Sequence, residues 1–213
     1  MFSLLRALLI RPHAILAHLL KNPSPEASSR LSFVVLVMMM IDTAIVVGQS
    51  PQLETYLGPE SSWLKWGIAL LLPPLEFLLQ RFVYMLTARL GLLMFASDKM
   101  PRTLEERRAK TRLLRLAFPY IVYPMTFFSL ISSPFLDIAW LQNWFFILGL
   151  VYYFLLSVYT LMNLYGVSSN VAFWGPLLVQ FLIFLAIVIV LSLVLMILLL
   201  TGVMTISNGL PTF

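Results

Sequence analysis

The sequence predicts an all-α fold: a polytopic membrane helix bundle of about five transmembrane helices with an N-terminal interfacial amphipathic helix. Three observations lead there. Hydrophobic residues make up 61% of the 213 residues and charged residues 11%, against about half and about a quarter in an average soluble domain. The mean hydropathy is +0.94, and a soluble fold with this composition would expose large sticky patches. The apolar residues gather into stretches close to or above the roughly 20 residues a helix needs to cross a hydrocarbon core, and basic residues flank these stretches on one side.

The elements follow in order. Residues 1–30 form a cytoplasmic, interfacial segment. Leu5, Leu8, Leu9, Ile15, Leu16, Leu19 and Leu20 keep helical spacing, while Arg6, Arg11, His18 and Lys21 interrupt too often for a span. One or two short helices lying in the interface are expected, with Pro12 in the first turn of the second. Arg11 and Pro12 also break the apolar run of a secretory leader, so a cleaved signal peptide is not expected. The run NPSPEASS over 22–29 reads as a turn-forming linker. The five-span bundle occupies 31–205, with spans at about 31–48, 63–95, 113–131, 140–165 and 173–203, and 206–213 is a short external tail. Pro73-Pro74 should kink span two or break off a first segment, and Pro119 and Pro124 should kink span three. Thr103 and Glu106 have capping-box spacing, which starts a helix near Leu104 that leads into span three.

Of 14 basic residues, eleven lie before span one or around the junction of spans two and three, and Lys65 alone lies on the other side. The positive-inside rule then puts the N-terminus in the cytoplasm and, with an odd number of spans, the C-terminus outside. Trp63, Trp66, Trp140, Trp144 and Trp174 fall near span ends, where an aromatic belt would place them. The net charge of +5 is explained by attraction to anionic lipid headgroups, and no nucleic-acid partner is expected.

Three charges fall deep within spans: Asp42 in span one, and Glu76 and Arg81 in span two. Each is costly in lipid and should face protein or water with a partner. Counted from the cytoplasmic ends, Asp42 and Arg81 lie at similar depth, so an interhelical ion pair is expected. Glu76 and Gln80 are one turn apart, and Tyr84 and Thr87 continue the stripe as a polar seam. The seam serves either as glue between helices or as a proton or substrate path. A dry Asp42–Arg81 pair would favour glue, whereas a cavity lined by these residues would favour a path. Arg89 reads as a snorkelling anchor. Tyr152, Tyr159 and Asn163 share one face of span four, as packing or a groove would require. In the loop over 98–112, Lys99, Arg102, Arg107, Arg108, Lys110 and Arg112 outnumber three acidic residues. They set topology and are candidates for docking anionic lipid or a partner.

Other chemistry is poorly represented. There is no Cys, which excludes disulfides and thiolate sites. His13 and His18 are five apart and miss the spacing of a zinc pair, and no HExxH occurs, so no metal or other cofactor is expected. Ser132-Ser133 and Ser168-Ser169 lack a GxSxG setting. No internal repeat supports an inverted-repeat transporter.

The segments RALLIRPHAILAHLL, RLLRLAFPYIVYPMTFFSL and FFILGLVYYFLLSVYTLMNLYGVSSNVAF, in that order and followed by an apolar fifth span, resemble the Yip (Ypt-interacting protein) family of five-span membrane proteins. The acidic Tyr-Gly-Pro motif of eukaryotic members is absent before span one. YLGPESSW at 56–63 is a displaced echo of it, so small-GTPase partners are not carried over. The resemblance implies a non-enzymatic protein that organises membrane or serves as an accessory subunit of a larger membrane complex, partnered by other membrane proteins or by itself. Its compact loops suit a bacterial inner membrane. The alternative reading is a transporter or permease component that uses the mid-membrane seam.

The orientation is directly testable. A reporter active only in the cytoplasm should give signal when fused near Arg107 and none when fused after Phe213. The reverse pattern would invert the topology, and signal at both positions would mean an even number of spans.

Overall fold

A computed structural model describes residues 2–49, 62–135, 138–200, 205–207 and 210–212. Among the described residues seven α-helices dominate: α1 (Phe2–Ile10), α2 (Pro12–Lys21), α3 (Pro25–Gly48), α4 (Ser62–Phe95), α5 (Leu104–Ser132), α6 (Ala139–Tyr165) and α7 (Ser169–Leu200). Five of them, α3 to α7, are long and apolar enough to cross a membrane. Beyond α7, Thr205–Ser207 pairs with Leu210–Thr212 in a small antiparallel ladder. Most of the expected loop after span one, residues 50–61, lies outside the described residues, as does the expected end of span five near Val203.

Local chemistry explains the helix boundaries. The linker expected over 22–29 shrinks to its first three residues. Ser24 caps α3 by accepting from the Ala27 N–H at 3.3 Å, and Pro25 takes the first helical position, where a missing N–H costs nothing. Thr103 accepts from the Glu106 N–H at 3.2 Å, so α5 starts at Leu104 as its cap predicts. Gly166 ends α6 in the left-handed region, φ 67°, and its N–H bonds Met162 O, a conformation that costs a residue with a Cβ considerably more.

The expected break at Pro73-Pro74 does not occur, and α4 runs unbroken through both prolines. Helix α5 is likewise continuous through Pro119 and Pro124, both of which are buried. Proline removes a hydrogen bond from an interior turn, but in a membrane bundle the neighbouring helices and local adjustments tolerate the loss.

Helix α5 is the hub. In its most apolar stretch 56% of residues are buried, against 0% for α7. Its main neighbours are α6 and α3, while α4 packs chiefly on α7 and α3. Ser28 of α3 donates to the Leu116 carbonyl of α5 at 3.0 Å, and Ser129 of α5 donates to Asp42 of α3 at 2.7 Å. The partners advance together along both chains, so α3 and α5 run parallel, stitched at two levels about 20 Å apart. At the centre, Phe118 of α5 meets Phe77 and Tyr84 of α4 at 5.4 and 5.7 Å between ring centroids, and Tyr84 meets Tyr153 of α6 at 6.3 Å.

The N-terminal pair divides at Pro12 as expected, but it docks more intimately than its amphipathic pattern implies. Leu8 and Leu16 are fully buried. Tyr152, near the middle of α6, donates to Leu9 O at 3.2 Å, and the His13 ring lies 6.3 Å from that of Tyr159. Asn163 donates to the Tyr159 carbonyl at 2.8 Å. Two members of the Tyr152–Tyr159–Asn163 stripe thus face the docked helices, so packing accounts for that stripe.

Helices α4 and α7 cross at glycine on glycine. A Cβ on Gly91 would sit 2.6 Å from the Pro176 nitrogen, a backbone atom that cannot swing aside. Small residues at such a crossing let two membrane helices approach closely. Gly91→Val should therefore cost about 1–3 kcal/mol of stability, read as a lower thermal midpoint in detergent. Gly67→Val, on the same helix with nothing within 4 Å of the added Cβ, is the control and should melt close to wild type. Equal midpoints for the two variants would contradict the crossing.

Candidate functional site

The helices bring part of the sequence-predicted polar set together and separate the rest. Asp42 and Arg81 do not pair. One Asp42 oxygen, Oδ2, accepts from Ser129 Oγ at 2.7 Å, while Oδ1 is buried without a hydrogen-bond partner, as is Arg81 Nε. Arg81 instead stands within electrostatic reach of Arg115. Arg115 adjoins Leu116, which receives Ser28 near the start of α3, and Asp42 lies almost four turns further along that helix. Gln80, the neighbour of Arg81 in sequence, does share a cavity with Asp42, so the two charges are separated by direction: Arg81 leaves α4 about 100° round from Gln80.

The polar seam is present and has acquired Asp42. Gln80 donates to Glu76 Oε1 at 2.8 Å across one turn of α4. Both residues line an open-sided cavity of about 70 Å³ together with Asp42 and Thr43 of α3 and Thr126 and Ser129 of α5, and Glu76 itself is exposed. A water molecule takes about 30 Å³ of liquid, so this volume holds roughly two. Two carboxylates from different helices, one amide and three hydroxyls therefore converge on a space of about two water molecules. Gln80 also borders a second cavity, about 280 Å³, with Tyr84 and Thr87 of α4, Tyr153 of α6 and Gln180 of α7. The stripe Glu76–Gln80–Tyr84–Thr87 thus lines two adjoining chambers. Among the described residues no group of three or more His, Cys, Asp or Glu could hold a metal ion.

Sequence reading missed Ser129, Thr126 and Gln180. Gln180 had a signal, since it is the lone amide in the most apolar span. The hydroxyls had none, because Ser and Thr are common in membrane helices and only the packing shows which of them meet a carboxylate.

The basic loop residues disperse. Lys99 pairs with Asp98 at 3.8 Å, and Arg102, Arg108 and Arg112 are exposed. Lys110 lies 4.9 Å from the centroid of the Tyr165 ring. Arg107 Nε donates to Pro101 O at 2.9 Å.

Comparison with protein-family models, curated proteins and solved structures finds no match to this chain. The resemblance to the Yip family therefore rests on the sequence segments alone.

The revised pairing makes a quantitative prediction for folded stability in detergent. Asp42→Asn and Arg81→Gln should give additive losses, because the residues do not touch. Asp42→Asn and Ser129→Ala should couple by about 1–2 kcal/mol, as expected for a charge-assisted hydrogen bond. Coupling in the first pair and additivity in the second would restore the ion pair.

Proposed function

We propose that this chain is a non-enzymatic integral membrane protein whose bundle conducts or exchanges a proton or small cation, as a component of a transport system. The observation that carries this reading is the cavity shared by Asp42 and Glu76, in which, among the described residues, neither carboxylate meets a basic partner. Ionisable residues inside membrane bundles mark ion pathways and proton relays. The cavity volume suits a proton, with water, or a small cation, and is too small for a metabolite. The adjoining chamber lined by Tyr84, Thr87 and Gln180 supplies polar groups for the next stage of a path. The orientation set by the basic residues, with the N-terminus cytoplasmic in a bacterial inner membrane, belongs to the same proposal.

A second reading, that of an organiser or accessory subunit, has its own support. The most apolar stretch of α7 is 0% buried, and the exposed face from Phe181 to Ile197 is open to lipid or to another membrane helix. The Yip resemblance points the same way.

Proteoliposomes loaded with a pH-sensitive dye separate the two. Under an imposed membrane potential, wild-type protein should dissipate a proton or sodium gradient. Asp42→Asn and Glu76→Gln should fall to the leak of protein-free vesicles, and Leu78→Ala, at an exposed position of α4 outside both cavities, should not. If wild type never exceeds protein-free vesicles yet co-purifies with a stoichiometric membrane partner, the organiser reading replaces transport.

A further inference from the structure

Helices α4 and α5 touch sparingly, and arginines occupy the seam between them at two levels. Arg81 of α4 lies within electrostatic reach of Arg115 of α5, and two turns further along, Arg89 of α4 donates to Thr111 Oγ of α5. The same hydroxyl donates to the Arg107 carbonyl at 2.6 Å. Arg107 in turn is steadied by Pro101 O at 2.9 Å. Arg89, Arg107, Thr111, Tyr165 and Leu93 line a cavity of about 220 Å³, and no carboxylate does. Lys110, beside the Tyr165 ring, adds a third cation at its margin. Among the described residues, neither Arg89 nor Arg107 has a carboxylate within salt-bridge distance.

Like charges gathered without counter-charge are unfavourable unless an anion completes them. Guanidinium groups have the planar fork that matches phosphate oxygens, and here single donors of Arg89 and Arg107 are tied to the protein, which orients both groups and leaves other N–H donors free. Next to the cavity, Leu90, Leu93 and Met94 expose their side chains along α4. That surface would accommodate an acyl chain and offers nothing to a free inorganic ion. We propose that the α4–α5 seam binds the phosphate headgroup of an anionic phospholipid, held by Arg89 and Arg107, with its chains along the exposed face of α4. Arg89 is then a ligand-binding residue and does more than snorkel. The site is independent of the acidic cavity and needs only that the bundle lie in a bilayer.

The test uses the full chain in nanodiscs of equal parts phosphatidylglycerol and phosphatidylcholine. Lipid that stays bound through re-extraction into mild detergent is identified by mass spectrometry. Phosphatidylglycerol should be retained over phosphatidylcholine. Arg89→Gln and Arg107→Gln should each lower that preference about tenfold, as loss of a hydrogen bond to a charged group implies. Arg102→Gln and Arg108→Gln, which remove the same charge outside the cavity, should leave it unchanged. If Arg89→Gln folds poorly, Arg107→Gln carries the test alone, because its exposed side chain sits near the start of α5. Equal losses in both sets would mean diffuse electrostatics and overturn the site. No preference in wild type, displacement by inorganic phosphate, or capture of an acidic peptide that depends on Arg107 would overturn the lipid as its occupant.

Discussion

The hydrogen bond from Ser129 to Asp42 joins two parallel helices at a part-buried carboxylate. A carboxylate inside a bundle must find a donor, a counter-charge or water, because hydrocarbon offers none of these. Ser129 satisfies one oxygen, and the small cavity holding Glu76 and Gln80 is left to serve the other side of the site. The arrangement of α3, α4 and α5 follows from that requirement. Helix α3 is tied to α5 at Ser28 and Asp42, and α4 turns Glu76 and Gln80 toward the same space.

The burial of α5 follows from its sequence. Its first three turns carry Glu105, Glu106, Arg107, Arg108, Lys110 and Arg112, which hold that end in water or among headgroups. Its remaining length presents Phe118, Tyr120, Ile121, Val122 and Tyr123 to neighbours on several sides. Helix α7 has the opposite character, almost wholly apolar, and meets α4 through the glycines that allow a close crossing. The N-terminal helices close a flank of α5 and α6 with Leu8, Leu16 and Leu19. Their basic residues stay exposed, so a segment too polar to cross the membrane still contributes to the core.

Much of this was legible in the residues. Spans, the Thr103 cap, the division at Pro12 and the Glu76–Gln80 stripe follow from periodicity and local geometry, which act over a few residues. The Asp42–Arg81 pair failed because it required knowing which face of α4 turns toward α3, and that face carries Glu76 and Gln80. Ser129, Thr126 and Gln180 entered the site through contacts between distant segments. The linker before α3 was overestimated because its prolines and serines read as turn formers, yet Ser24 and Pro25 are also the natural first residues of a helix. Of the two outcomes expected at Pro73-Pro74, the broken-off segment does not form, because a membrane bundle tolerates the hydrogen bonds that proline removes.

Hydration of the acidic cavity is the claim on which the account depends most. The chain has no native cysteine, so single cysteines report on it without background. Thr43→Cys lines the cavity, whereas Ile41→Cys, two residues away on α3, replaces a side chain that is 48% exposed and outside the cavity. Labelling in intact membranes with a small charged thiol reagent, which requires a hydrated thiolate, compares the two directly. The account predicts that Thr43→Cys reacts much faster than Ile41→Cys and that occupancy of the site by a cation slows it. Equal inertness of both positions would mean a dry core, in which Asp42 and Glu76 serve only to hold helices together.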